Sequence, residues 1–218
     1  FANLTTVYTS AGITGLTDQA VTITDTQSAA NVNTFALETI GNVTATITDG
    51  TVAATLAAIT NVKADDNIKF KTTDKTVDAS DLVALKVLVD TLDVSAVTAI
   101  TEVTTSIGTV VSALNIAGND VAVSFTDAAT AISAATADAI ADATSGIVTA
   151  VVTAGTAAAL NKALTDTDVN AYTLKISKGT AAAKDLNDLD AKTSVAIDAK
   201  AVTTITGSAV DVKTVLAA

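Results

Sequence analysis

The sequence predicts an α/β fold in which short strands alternate with Ala-rich helices. Strand candidates recur at intervals of about 25 residues, and stretches of about ten residues with helical spacing of apolar side chains lie between them. Successions of strand, helix and strand with this spacing are typical of βαβ units. Such units place parallel strands side by side through right-handed crossovers.

The elements follow one another in a regular order. The strand candidates are rich in Val, Ile and Thr, which favour extended structure: Ala20–Thr24, Val43–Thr48, Ile68–Thr72, Thr91–Ser95, Val121–Thr126, Ile147–Thr153, Tyr172–Ser177 and Ser194–Asp198. The helix candidates are rich in Ala, the strongest helix former: Ser28–Ile40, Val52–Ile59, Ala79–Val89, Asp127–Ala141 and Thr156–Leu164. We therefore expect about eight strand–helix units.

Apolar and polar residues alternate within the strand candidates. Val21 and Ile23 would face one side of the sheet, and Thr22 and Thr24 the other. A parallel sheet that is covered by helices on both faces would instead be almost continuously apolar. The alternation predicts a one-sided parallel α/β solenoid, with helices on one face and the other sheet face open to solvent.

The sequence also repeats itself with an offset of 102 to 105 residues. Ala96–Thr101 resembles Ala201–Thr206, and the match extends to the other strand candidates. We divide the chain into residues 1–16, the end of a preceding repeat unit, a first repeat at 17–118 and a second at 119–218. Thr6–Ser10 resembles Thr214–Ala218, which predicts a longer array or a subunit that continues head-to-tail into its neighbour.

The composition excludes several classes of function. The chain contains no His, Cys, Met, Trp, Pro or Arg, so histidine catalysis, thiol nucleophiles, zinc sites and disulfides are ruled out. The net charge of −11 argues against nucleic acid or an anionic membrane surface as a partner. No apolar run approaches the roughly 18 residues of a membrane span, which argues against membrane insertion. An enzyme would need a polar constellation that breaks the repeat, and we find none, so we expect no enzymatic activity.

An aspartate recurs directly after several strand candidates. Asp25, Asp49 and Asp127 each follow a strand candidate, and we expect them to cap the next helix, where backbone N–H groups lack partners.

A second acidic group lies in the loop before the third strand of each repeat. We treat Asp65, Asp66, Asp166 and Asp168 as candidate calcium ligands, because carboxylate oxygens are the ligands that Ca²⁺ prefers. These loops lack the glycine and the distal glutamate of an EF-hand, and the alternative is a solvated acidic turn. No other cofactor is expected.

Several segments resemble a known family. Asp188–Asp198 followed by Ala201–Gly207 resembles a repeat of giant cell-surface proteins of marine unicellular cyanobacteria, and Ala11–Leu16 followed by Ala20–Thr26 is similar to the opening of that repeat. The family includes swimming-associated proteins, and S-layer-like or adhesin-like proteins of other bacteria. The resemblance covers both repeats and implies an extracellular structural role, but it supplies no functional residue.

Repeat, composition and resemblance together lead to one expectation of function. We expect an extracellular structural repeat protein at the cell surface that extends or self-assembles into a filament, sheath or surface layer. Its partner would be itself, head-to-tail or lateral. The alternative is an adhesin-like binding surface for polysaccharide or Ca²⁺ on the open sheet face.

Overall fold

The chain divides into two compact units, Phe1–Val97 and Thr98–Ala218. The structure is a computed structural model, which describes residues 2–102, 107–125, 127 and 130–217. It confirms the predicted α/β class with parallel strand pairing. Thr126 and residues 128 and 129, which fall within a predicted strand and a predicted helix, lie outside the described residues.

The first unit is built around a parallel sheet. Its elements are α1 Ala2–Tyr8, β1 Val21–Thr22, α2 Ala29–Glu38, β2 Val43–Thr46, α3 Val52–Ala58, β3 Asn67–Lys71, β4 Thr76–Asp78, α4 Ala79–Leu88 and β5 Thr91–Asp93. Strands β1, β2, β3 and β5 pair in that order, and every pair is parallel. Val21 lies opposite Val43, and Ala45 opposite Ile68.

The second unit follows the same plan. Its elements are β6 Ala99–Glu102, α5 Ile107–Ala117, β7 Ala122–Phe125, α6 Ala134–Ala141, β8 Val148–Val151, α7 Ala157–Ala163, β9 Ala171–Thr173, β10 Gly179–Ala182, α8 Ala183–Asp190, β11 Val202–Thr206 and α9 Ala209–Ala217. Strands β6, β7, β8 and β9 pair in order, and β10 pairs with β11, again in parallel. Across the described residues, no helix is both long and apolar enough to cross a membrane.

Seven of the eight predicted strands overlap an observed strand, and the prediction at Ser194–Asp198 is wrong. That segment touches its neighbours only at isolated points, such as the bridge from Asp198 to Lys175. The N–H of Val195 donates to the hydroxyl of Thr193, a local bond that competes with a strand ladder. The sequence analysis also missed β4, β6, β10 and β11 as strands.

The helix caps differ from the prediction. A hydroxyl directly before the helix accepts the N–H three residues later in α2, α3, α6 and α7, the caps being Ser28, Thr51, Ser133 and Thr156. The predicted caps Asp25, Asp49 and Asp127 precede these residues in the chain and are not the N-cap residues. Asp25 instead accepts a bond from Gln27, and Asp127 one from Thr130. Asp78 does cap α4, through the N–H groups of Ser80 and Asp81.

Burial alternates along individual strands as predicted. In β3, Ile68 and Phe70 are buried while Lys69 and Lys71 are exposed. The helices complete the core with residues such as Phe35 of α2, which is 1% exposed. Strands β2, β3 and β8 therefore contribute one side to the core and one side to the surface.

The hydrogen-bond pattern of the first repeat recurs in the second. The N–H of Thr48 donates to Gln27, and 105 residues later the N–H of Thr153 donates to Ile132. The hydroxyls of both threonines donate to the same carbonyls. The hydroxyl N-caps recur with the same offset, Ser28 with Ser133 and Thr51 with Thr156. The self-similarity of the sequence is therefore also a self-similarity of backbone geometry.

A buried threonine closes the turn after α2 and after α6. The hydroxyl of Thr39 donates to the carbonyl of Gln19 at 2.6 Å and accepts the N–H of Gly41 at 3.0 Å. Thr144 makes the equivalent bonds, to the carbonyl of Val121 at 2.7 Å and from the following glycine at 2.9 Å. Both threonines tie the end of a helix to the residues that lead into the preceding strand.

Two glycines make this approach possible. A Cβ atom on Gly41 would lie 2.5 Å from the carbonyl oxygen of Gln19, and one on Gly146 would lie 2.3 Å from that of Val121. The obstacle in each case is backbone, which cannot rotate away as a flexible side chain would. Any side chain here would push the turn off the preceding strand.

We predict that Gly146→Ala lowers the free energy of unfolding by about 1–3 kcal/mol, because the new methyl group overpacks a backbone crossing. Urea denaturation followed by circular dichroism measures the change. Gly108→Ala is the matched control, since a Cβ atom there meets nothing within 4 Å and the residue lies in α5. The control should be neutral or stabilising by up to about 1 kcal/mol; equal losses in the two variants would contradict the prediction.

Candidate functional site

The loop before β3 contains two of the four calcium candidates, and they have different environments. Asp66 is only 3% exposed. The N–H of Val43 donates to its Oδ1 at 2.7 Å, and the N–H of Lys63 donates to its Oδ2 at 2.8 Å. Asp65 is exposed, and its carbonyl accepts a bond from Asn42 at 2.7 Å. The carboxylate of Asp66 therefore binds backbone, while that of Asp65 faces solvent.

The carboxylate of Asp66 extends the ladder of β2. Val43 is the first residue of that strand, and its N–H finds a side-chain acceptor instead of a carbonyl from β3. Charge-assisted bonds of this kind offset the cost of burying a carboxylate. Asp66 thus fixes the loop against the start of the neighbouring strand.

Lys63, in the same loop, contacts the end of α2. Its Nζ donates to the carbonyls of Thr39, Ile40 and Gly41 at 3.3, 3.1 and 3.3 Å. A cation at the C-terminus of a helix is favoured by the helix dipole and satisfies carbonyls that have no partner within the helix. The loop before β3 is therefore held by a carboxylate on one side and by an ammonium group on the other.

In the second repeat the buried residue at this place is Asn170, which is 2% exposed. The N–H of Val148 donates to its Oδ1 at 2.8 Å, as Val43 does to Asp66. Its Nδ2 donates to Oδ2 of Asp166 at 3.0 Å and to the carbonyl of Asp168 at 3.3 Å. A neutral amide therefore replaces the carboxylate and orders the acidic loop around it.

Asp138 of α6 holds the same loop from another direction. Its Oδ1 accepts the N–H of Thr165 at 2.5 Å and that of Asp166 at 2.9 Å. Its Oδ2 accepts the hydrogen bond of the Thr165 hydroxyl at 2.8 Å.

Sequence reasoning missed both Asp138 and Asn170. Asn170 could have been found by aligning it with Asp66 through the offset of 104 residues between the flanking strands.

Asp166 and Asp168 line a shallow depression of about 340 Å³ together with Asp142 and polar groups of Thr144 and Ser145. Oxygen atoms dominate its chemistry, which suits a hydrated cation better than an anion. Within the residues that the structure describes, however, no group of three or more acidic side chains lies close enough to hold a metal ion. Calcium binding at the four candidate residues therefore stays a prediction.

The electrostatics of this region are negative. The hydroxyl of Tyr172 is buried and donates to the carbonyl of Ala137 at 3.3 Å. Burial raises the pKa of this hydroxyl well above its usual value. Three nearby carboxylates raise that pKa further: those of Asp166, Asp138 and Asp142.

The exposed side of β3 is the surface on which an adhesin-like protein would bind its ligand. Lys71 lies 3.6 Å from the carboxylate of Asp93 on the next strand. Hydrogen bonds from Ser95 and then the charge of Lys71 lower the pKa of Asp93. The aromatic rings of Phe70 and Tyr172 are buried at 3% and 2% exposure, so they offer no platform for stacking a sugar.

Two of the strands at sheet edges, β1 and β11, are each the terminal strand of a parallel ladder. Among the described residues β1 pairs only with β2, and β11 pairs only with β10. Ile205 of β11 is 36% exposed, and Val210 and Leu216 of α9 are 75% and 74% exposed. A depression of about 220 Å³ beside them is lined by apolar residues that include Leu186 and Val215. Apolar side chains beside an unpaired strand edge are typical of a surface that associates with another chain.

No family model, no curated protein and no solved structure matches this chain. The resemblance to cyanobacterial cell-surface repeats therefore stays a prediction. Function must be argued from the chemistry and geometry of the chain itself.

We predict that Asp66→Ala lowers the free energy of unfolding by about 1–3 kcal/mol, because two backbone N–H groups lose their acceptor. Asp65→Ala is the matched control and should stay within about 0.5 kcal/mol of the parent, since that side chain is exposed. Asn170→Ala and Asp168→Ala form the corresponding pair in the second repeat. Urea denaturation measures all four; similar losses in buried and exposed members of a pair would contradict a structural role for the buried residue.

The calcium prediction has its own test. If the acidic loops bind Ca²⁺, millimolar calcium should raise the melting temperature relative to a chelator, because a ligand of the native state stabilises it. Asp168→Ala should reduce that increase, because it removes a ligand of one of the two loops, and should leave the melting temperature in chelator unchanged, because Asp168 is exposed. Equal melting temperatures of the parent in calcium and in chelator would make the calcium prediction wrong.

Proposed function

We propose that this chain is an extracellular structural repeat protein of a cell surface, which extends or self-assembles into a filament, sheath or surface layer. One observation carries the proposal. The same backbone hydrogen bonds between consecutive parallel strands recur 105 residues along the chain. A unit that accepts its successor through main-chain bonds can be repeated without changing its geometry.

We further propose that the strand–helix units stack as a one-sided parallel α/β solenoid. Parallel ladders join β1, β2 and β3 in one unit and β6, β7, β8 and β9 in the other, and consecutive helices contact each other from α2 to α4 and from α5 to α9. Alternating burial along the strands supports an open sheet face. In such an architecture stability comes from contacts between neighbouring units, so exposed terminal units favour association.

The composition supports bulk export. Arg, His and Trp, whose side chains are rich in nitrogen, are absent, and so are Cys and Met, which carry sulfur. A protein made and exported in large amounts by a nutrient-limited cell would benefit from this economy.

The adhesin-like alternative draws on the exposed Lys and Thr residues of the sheet face. Lys69 lies opposite Thr46 and Thr91 on the two neighbouring strands, which makes a polar and regular surface. This surface would bind a polysaccharide by hydrogen bonds alone, because Phe70 and Tyr172 are turned inward.

We predict that the purified full chain forms filaments or sheets in negative-stain electron microscopy, and that light scattering detects larger assemblies as ionic strength rises. Salt should promote assembly because copies with a net charge of −11 repel each other until the charge is screened. The measurements are repeated with calcium and with a chelator. Chains that stay monomeric at every salt concentration and bind immobilised polysaccharide would contradict assembly and favour the adhesin-like function.

A further inference from the structure

The edge strands β1 and β11 each have an equivalent strand in the other repeat, and these two equivalents pair with each other. Ala201–Thr206 resembles Ala96–Thr101, so Ile205 of β11 corresponds to Ile100 of β6. Val21 of β1 corresponds to Val123 of β7. In the second unit Ile100 lies directly opposite Val123 in a parallel ladder. The equivalents of the two exposed edges are therefore bonded partners.

Hydrogen bonds confirm that β1 and β7 are equivalent. The N–H of Val21 donates to Asn42 at 2.9 Å, and the N–H of Val123 donates to Ile147 at 3.0 Å. The acceptors are again 105 residues apart. Because successive residues of a strand point in opposite directions, the N–H of Ala20 is directed away from β2. Its equivalent in β7 is Ala122, which donates to Thr98 before β6 at 3.1 Å.

Side chains of β11 and its helix are more exposed than their equivalents at β6, as expected if β11 lacks a neighbouring strand. Ile100 is 0% exposed, whereas Ile205 is 36% exposed. Val110 of α5 is 0% exposed, and its equivalent in α9, Val215, is half-buried. β6 has β7 beside it, and β11 has no described strand on its outer side.

We propose that β11 of one copy pairs in parallel with β1 of a second copy of this chain, with Ile205 opposite Val21 and Thr206 opposite Thr22. The proposal rests on the self-assembly proposed above and specifies its interface. The N–H of Ala20 then donates to the carbonyl of Thr203, as Ala122 does to Thr98. Addition of a strand to an open edge supplies affinity through main-chain bonds, and burial of Ile205 supplies the apolar contact.

The pairing requires one helix to move. Thr6–Tyr8 of α1 and Thr214–Leu216 of α9 are similar to each other, and both correspond to α5, the single helix between β6 and β7. Only one of them fits beside α2 of the second copy. One contact that holds α1 is the edge-to-face contact between Tyr8 and Phe35, with ring centroids 6.1 Å apart. Docking therefore displaces α1 and seats α9 in its place.

Cysteine cross-linking tests this register in the full chain, which contains no cysteine of its own. In the double variant Thr206→Cys with Thr22→Cys each copy carries both halves of the joint. The equivalents of these two residues, Thr101 and Ser124, lie opposite each other, within the range of Cα separations that a disulfide spans. Mild oxidation should give a ladder of dimers, trimers and longer chains on a non-reducing gel.

The matched control is Thr206→Cys with Thr46→Cys, because Thr46 is also exposed but lies on β2. It should give no ladder. Introducing Ile205→Lys into the first pair should lower cross-linked product by about tenfold, since a charge at the centre of the joint opposes burial. Tyr8→Ala should increase the product, because it releases α1. Circular dichroism confirms that each variant is folded.

Three outcomes distinguish a failure of the proposed interface from a failure of the proposed function. A ladder from the first pair alone supports the joint. Assemblies in the microscope without that ladder, or with equal ladders from both pairs, overturn the joint and leave the proposed function standing. A parent chain that is monomeric by light scattering at every salt concentration, together with no ladder from the first cysteine pair, overturns both.

Discussion

The two units depend on buried side chains that bind backbone groups at the ends of very short parallel strands. The observed strands are two to five residues long, so each ladder contributes few main-chain bonds. The N–H and carbonyl groups at its ends still need partners once they are buried. Thr39, Thr144 and Thr193 supply hydroxyls at these places, and Asp66 and Asn170 supply acceptors. The parallel strands are thus joined through side chains as much as through their own backbones.

This arrangement explains how a chain with so few large side chains can bury a core. Aromatic residues are 3% of the sequence, and much of the buried surface comes from Ala, Val, Ile and Leu. Small Ala side chains let the helices lie close to the strands, as Ala137 and Ala157 do at 0% and 1% exposure. Close approach raises the number of dispersion contacts per residue and offsets the small size of each side chain.

The sequence predicted α2, α3 and α4 well, because Ala-rich stretches that follow Ser28, Thr51 and Asp78 give both a period and a start signal. It did not predict α5 of the same repeat. The prediction from sequence failed where contacts between distant segments determine the secondary structure. Val202–Thr206 consists of residues that favour extended structure, but so does much of the chain, and the segment that pairs with β10 is this one and not the predicted Ser194–Asp198. The inward orientation of Asp66 could not be predicted either, because a carboxylate in a polar loop is normally solvated and only the N–H groups of Val43 and Lys63 explain its burial. The offset that the sequence shows recurs in backbone hydrogen bonds, such as those of Thr48 and Thr153.

The internal duplication has a consequence for how the chain reaches its native state. Because β2 and β8 offer the same pattern of acceptors, β1 meets two nearly equivalent templates while the chain is still unfolded. Gly41 and Gly146 are interchangeable at the turns and do not help to tell the templates apart. Vectorial synthesis resolves the ambiguity, because the first template leaves the ribosome and is occupied before the second is made. A full-length chain that refolds from denaturant lacks this order in time, so swapped pairings between halves become its characteristic kinetic trap.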